Sequence, residues 1–269
     1  MTLPFTLAHP AAVLPFARRP FSAAALVAGA VAPDLPYFVR SLPVPVSAQS
    51  WYAPFMNATT SHAVGGTLTV ALPYALLLTM AWWAARRPLR AMLVTGEAPR
   101  ADGGHGDVER RTGARDVVVR GAWILLSLVI GIATHVLWDS FTHGDVTALS
   151  ASAIGGLSWA RLLQHASTVV GLVVLAIYLW RHRSSVRARA AAAWSVLGVV
   201  AAGVAVGAAV YFARTNGVDD GVTAEYVLRE IAEMAGAVVA GASVLYVAAW
   251  WVLLGAARSG RGGRVRIRR

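Results

Sequence analysis

Thr134-His135-Val136-Leu137-Trp138-Asp139 sets an imidazole and a carboxylate four residues apart. At about 100° per residue on a helix they lie within about 40° of each other, and His143 within about 80° if the helix continues. One helix can therefore present both groups to a single point. That arrangement suits a divalent ion, because neutral imidazole and carboxylate are ligands of zinc and, as second candidate, manganese. A His–Asp hydrogen bond capping a helix end has the same spacing. Asp34, His62 and His165 join the pair as candidates, since each stands at the end of an apolar run on the same side of the chain's expected topology. Their plainer readings are a turn carboxylate for Asp34, a helix-start residue for His62 and a helix-interface residue for His165. Asp145 is placed to orient His143.

Residue types that are missing narrow the chemistry further. The chain has no Cys, which excludes disulfides, thiolate nucleophiles and zinc-thiolate sites. All 24 basic residues are Arg, so Schiff-base lysines and a Walker-type phosphate lysine are excluded as well.

The elements that must position these groups are membrane spans. Of 269 residues, 57% are hydrophobic and only 14% charged, where a water-soluble domain carries about 25% charged residues. Long apolar runs without alternation exclude a transmembrane β-barrel. A spanning helix needs about 20 apolar residues. Five segments meet that, at 63–84, 120–139, 162–180, 190–213 and 231–256. A sixth, Phe21 to Ala32, stops at Pro33-Asp34 and is too short to cross alone. The expectation is an all-α, polytopic helical membrane protein with about five full spans plus a short N-terminal helix or hairpin. Residues 1–269 form a single membrane-embedded domain in this reading, with a partly flexible cytoplasmic loop at 86–119 and a basic cytoplasmic tail at 258–269. No basic region precedes the first apolar run, so no cleaved signal peptide is expected.

Arginine placement orients the spans. Twenty Arg fall on one side, in Arg18-Arg19, Arg86 to Arg120, Arg181 to Arg189 and from Arg258 onward. Four fall on the other: Arg40, Arg161, Arg214 and Arg229. The rich side is cytoplasmic by the positive-inside rule, and with it the C-terminus. The net charge of +11 is then an insertion signal and an attraction to anionic membrane lipids, not a nucleic-acid footprint. His9 conflicts with this scheme. Nine residues separate it from Arg18, about 14 Å of α-helix. Either His9 stays on the cytoplasmic side, or residues 9–34 form a hairpin dipping from the outer face.

Several motifs together carry a resemblance. Pro4-Phe5-Thr6-Leu7-Ala8-His9-Pro10, Ala32-Pro33-Asp34, Thr134-His135 through Thr142-His143, and Leu163-Gln164-His165 resemble the bacterial membrane-protein family catalogued as domain of unknown function 4184. That resemblance runs along most of the chain and implies a multi-pass protein of the bacterial plasma membrane. More distantly, the order His, Pro-Asp, Ser-His, His-x3-Asp is similar to the membrane-bound metal-dependent hydrolase family. This second resemblance implies His9, Asp34, His62, His135 and Asp139 as metal ligands, and with His9 among them it favours the hairpin. Pro36 stands where that family carries a second Asp.

Two functional readings follow. One is a metal-dependent hydrolase with a His/Asp site at the outer membrane–water interface, acting on a lipid phosphoester or lipid-linked substrate, with Asp139 or Asp34 as ligand or general base. The other is a non-catalytic ion or metal carrier, binding or scaffold protein in which the cluster is structural. The carrier form is weakened by spans 190–213 and 231–256, which place no ionisable residue deep inside.

Overall fold

A computed structural model describes residues 6–40, 44–47, 49–94, 113–142, 149, 151–154, 157–182, 187–188, 190–215 and 224–262. Among them are five helices long and apolar enough to cross a membrane: Val64–Ala91, Ala114–Thr142, Trp159–His182, Trp194–Ala213 and Tyr226–Ala257. The chain forms two compact units, residues 1–82 with 97–185 and residues 83–96 with 186–269. His143 and Asp145 lie outside the described residues.

The first unit opens with a 3-10 helix, His9–Phe16, followed by α1 (Ala23–Val31), a 3-10 turn at Ala32–Asp34 and α2 (Leu35–Arg40). Next come α3 (Ala58–His62), α4 (Val64–Gly66), a π-helical turn at Thr67–Ala71 and α5 (Leu72–Ala91). The long α6 (Ala114–Thr142) and α7 (Trp159–His182) complete it, with a short antiparallel ladder of β2 (Ser152–Ile154) and β3 (Leu157–Ser158) ahead of α7.

The stretch from His9 to Asp34 runs alongside α6. Phe21 packs edge-on against Trp123, with ring centroids 5.4 Å apart, and the Ser22 amide donates to Ser127 Oγ at 3.0 Å. His9, by contrast, lies against Trp138 and Asp139. The two contact levels are about 15 residues apart on α6, or about 22 Å. The sequence estimate of 14 Å assumed an α-helix. A 3-10 helix rises about 2.0 Å per residue, and residues 17–22 are not helical, so few residues cover more distance. Residues 9–34 therefore do form a hairpin, but a deep one. Its turn carries exposed Arg18 and Arg19 toward the level of Trp123, near the Arg-bearing start of α6.

Small residues let the hairpin approach. The core between α1, α6 and the start of α5 is Ala25, Ala28, Ala32, Ala71, Ala75, Leu128 and Ile132. At the crossing, a Cβ on Gly29 would overlap the Leu128 carbonyl oxygen, and one on Gly131 would overlap that of Leu26. Lipid is as apolar as Leu, so helices in membranes associate by close packing of this kind rather than by apolar burial.

In the second unit, α8 (Ala190–Thr215) and α9 (Ala224–Gly262) form an antiparallel pair. They meet where Gly203 and Gly207 face the Ala235 and Ile231 backbone. A two-residue ladder joins β1 (Leu93–Val94) to β4 (Arg187–Ala188). Pro88 lies inside α5 and has no N–H, which frees the carbonyl of Ala84. The Trp251 indole donates to that carbonyl at 3.1 Å, and Tyr246 donates to the Pro88 carbonyl at 3.1 Å. A membrane helix tolerates proline when neighbours satisfy the released groups in this way. Trp251→Phe is expected to destabilise the detergent-solubilised protein by about 0.6 kcal/mol, the average for such a bond between membrane helices. Thermal unfolding beside wild type would measure it.

Two expected boundaries change. Residues 86–91 and 114–119 are helical rather than loop, and α9 continues to Gly262 inside the expected basic tail. Arg and Ala are strong helix formers, so a helix need not stop where its apolar stretch does.

Candidate metal centre

α6 presents His135 and Asp139 one turn apart, as their spacing requires, and both are buried. Asp34 arrives on the 3-10 turn that ends α1, in a pocket that leaves it no exposure at all. His62 is the last residue of α3, which Asn57 caps by accepting from the Thr59 amide at 2.9 Å. The backbone turns extended at Ala63, which ends α3 at His62, and the imidazole folds back along the helix with Nδ1 2.8 Å from the Ala58 carbonyl. Ser61 fixes this end by donating to the Pro33 carbonyl at 2.6 Å, tying α3 to the turn that bears Asp34.

The four side chains converge. Asp34 Oδ1, His62 Nε2, His135 Nε2 and Asp139 Oδ2 supply one donor each, all within 4.8 Å of one another. His62 Nε2 is 3.1 Å from His135 Nε2, 3.2 Å from Asp139 Oδ2 and 3.6 Å from Asp34 Oδ1. His135 Nε2 is 3.4 Å from Asp34 Oδ1 and 3.3 Å from Asp139 Oδ2. A tetrahedral zinc with bonds of about 2.0–2.1 Å has ligand-to-ligand edges of about 3.3–3.4 Å. The five edges that involve a histidine, 3.1–3.6 Å, bracket that value, and the sixth, between the two carboxylates, lies within 4.8 Å.

Hydrogen bonds outside the cluster set the chemistry of its donors. His135 Nδ1 is 2.8 Å from the Ala30 carbonyl and His62 Nδ1 is 2.8 Å from the Ala58 carbonyl. A carbonyl only accepts, so each Nδ1 carries the hydrogen, and in the neutral imidazole each Nε2 turns a lone pair inward. Two imidazole lone pairs 3.1 Å apart, beside two carboxylates, repel each other unless a positive charge lies among them. One proton can sit between the two nitrogens, but a second would set two N–H groups head to head. A divalent ion satisfies all four donors and balances both carboxylates. Asp34 Oδ1, buried and without a hydrogen bond, is the atom that most plainly lacks such a partner. Burial works against charging His62, yet the Asp139 carboxylate, the Ala58 carbonyl and Asp34 outweigh it. Its pKa is raised above the ordinary histidine value even with His135 opposing. The cluster draws positive charge inward.

Thr6 completes the surroundings, donating its hydroxyl to Asp34 Oδ2 at 2.7 Å. Sequence reasoning missed it, although it stands three residues before His9 in the same motif. Partners that orient a ligand typically contribute 10–100-fold to metal affinity. Thr6→Val is accordingly expected to weaken zinc binding by about 10–100-fold, read by competition with a chromogenic chelator.

His9 stands next to the four without being one of them. Its ring packs tilted against His135 at 3.9 Å between centroids, and its Nε2 is 3.4 Å from Asp139 Oδ1, the oxygen turned away from His62. His165 does not take part. Gln164 and Thr168 occupy the buried face of α7, and the next residue after Gln164 is rotated about 100° from it, which leaves His165 exposed.

No curated protein and no solved structure matches the chain. One family model does, over residues 3–251, a stretch that includes every residue of the cluster together with Thr6 and His9. The protein belongs to the family described as Domain of unknown function (DUF4184).

Proposed function

We propose that this protein is a metal-dependent hydrolase that holds zinc through Asp34, His62, His135 and Asp139 and acts on a lipid phosphoester. The observation that carries the reading is the four-donor group itself, with two buried carboxylates and two imidazole Nε2 atoms turned inward. An uncompensated double negative charge beside hydrocarbon is costly, and one divalent ion cancels it. Two imidazole nitrogens among the four donors favour zinc over manganese, which suits octahedral oxygen shells. With four protein donors a catalytic zinc would have to add a fifth, oxygen ligand; so bound, it would supply Lewis acidity toward a phosphoryl oxygen and lower the pKa of water to about 7.

The remaining steps fall to the protein's own groups. Asp34 holds, since its second oxygen is engaged by Thr6. Asp139 faces the cluster through Oδ2 and His9 through Oδ1, so it is the carboxylate placed to exchange a proton with His9. A structural zinc site is closed and commonly thiolate-rich. This one is thiolate-free, carries an extra buried imidazole beside it, and is most open at His62, whose side chain is 23% exposed. Asp139 lies 19 residues beyond Arg120 on α6, about 28 Å along the helix. With the Arg-rich ends in the cytoplasm, the site sits at the outer interface of a plasma membrane, where a lipid presents its ester.

Elemental mass spectrometry of the detergent-purified protein should find near-stoichiometric zinc. Phosphate release from phosphatidate in mixed micelles should stop after chelation and return with added zinc. Absence of zinc and manganese even after reconstitution would sink the hydrolase and leave a structural polar cluster. Bound zinc without hydrolysis of any phosphomonoester or phosphodiester lipid would make this a non-catalytic metal protein.

A further inference from the structure

We infer that the groove between α6, α7 and the N-terminal 3-10 helix seats one hydrocarbon chain of a membrane lipid, whose ester end then lies at the metal centre. This rests on the hydrolase reading for its ester end, but the seat itself stands on separate observations. The groove has a volume of about 420 Å³, within the roughly 300–1,000 Å³ typical of ligand sites. Its apolar walls are Ala12, Leu137, Trp138, Phe141 and Leu163. Both helices that form it are candidate membrane spans, so a membrane lipid can reach its mouth.

Polar atoms in the walls make no demand on an occupant. Thr134 Oγ1 donates to the Gly131 carbonyl at 2.8 Å and Thr142 Oγ1 to the Trp138 carbonyl at 3.3 Å. Ser167 Oγ donates to the Gln164 carbonyl at 3.2 Å and accepts from the Trp138 indole at 3.2 Å. Every hydroxyl that lines the groove is thus turned into the protein, and the space suits methylenes rather than water or a polar ligand.

Trp138 links groove and site. Ser167 pins its indole as a groove wall, while its ring meets His9 edge-on at 5.8 Å between centroids. On α6 it immediately precedes Asp139 and lies one turn below Thr142, at the boundary between the groove face and the site face. A chain lying along this wall ends where Asp139 and His9 begin.

The test uses the full-length holoprotein in phosphatidylcholine vesicles containing a few mole per cent of phosphatidate with a diazirine on one palmitoyl chain. After illumination, the labelled peptides are mapped. The expected label concentrates on residues 134–142 and 159–167. Leu163→Trp, which fills the groove from an exposed wall position, should reduce it about tenfold, the loss expected when roughly two methylenes leave the groove. Leu172→Trp, on the opposite face of α7, should leave it unchanged. Label spread evenly over the five spans of wild type overturns the seat, whatever the variants do. Zinc content is read on the same samples. A groove-confined label on a protein that never binds zinc keeps the seat and removes the hydrolase, so the two failures are distinct.

Discussion

His135→Ala is expected to leave the purified protein without stoichiometric zinc, while His165→Ala keeps it. His135 is fully buried and acts in three ways at once. It offers Nε2 to the cluster, anchors that tautomer by donating from Nδ1 to the Ala30 carbonyl, and packs against the tilted ring of His9. Zinc held by four protein ligands is bound with an apparent free energy of about 10–16 kcal/mol. An average share of that is about 3 kcal/mol or more, over a hundredfold in affinity. Asp139→Ala removes a ligand, half of the charge balance and the contact with His9, and should lose at least as much. His165 is exposed on α7, so its replacement controls for a general effect of losing an imidazole. Elemental analysis of the three variants after identical purification decides the matter. Full zinc in His135→Ala would mean that the ion binds elsewhere.

Gly131→Leu is expected to cost about 3 kcal/mol of stability and to release the metal although residue 131 touches none of the ligands. Gly131 faces Gly29 and the Leu26 carbonyl across the α1–α6 crossing, with no room for a Cβ. Any side chain there pushes α1 away. Two parts of the site ride on α1 and the turn after it: the Ala30 carbonyl that sets the His135 tautomer, and Asp34 itself. Gly131→Ala, a smaller intrusion at the same point, should lose less of both. Midpoints of thermal unfolding in detergent and zinc per chain, measured together, test this. A leucine variant with unchanged zinc would show that α1 does not position the site.

The legible and the illegible parts of the site differ in range. His135 and Asp139 share one helix, and helical periodicity alone sets them on one face. His62 and Asp34 were readable as candidates because an ionisable group at the end of an apolar run is uncommon. Their convergence was not readable, since it depends on where α3 stops and on the tie from Ser61 to the Pro33 carbonyl. His165 met the same criterion and fails, because one residue of helix phase separates it from buried Gln164. Thr6 gave no signal by type, as a threonine before an apolar segment has many ordinary uses. The depth of the N-terminal hairpin was misjudged because residue count measures distance only once the local conformation is known.

By itself the sequence determined the solvent, the spans and the Arg-rich end. Each follows from composition and local periodicity, which act within a few turns of chain. It also determined which residue types were available for chemistry. Tertiary structure alone decided which of those residues meet. The close crossing of α1 and α6 at paired glycines brings Asp34 to His135, and the tie from Ser61 to the Pro33 carbonyl holds the end of α3, with His62, beside both. Contacts between residues 28 to 105 positions apart arise from packing of surfaces, and no periodicity along a single helix encodes them.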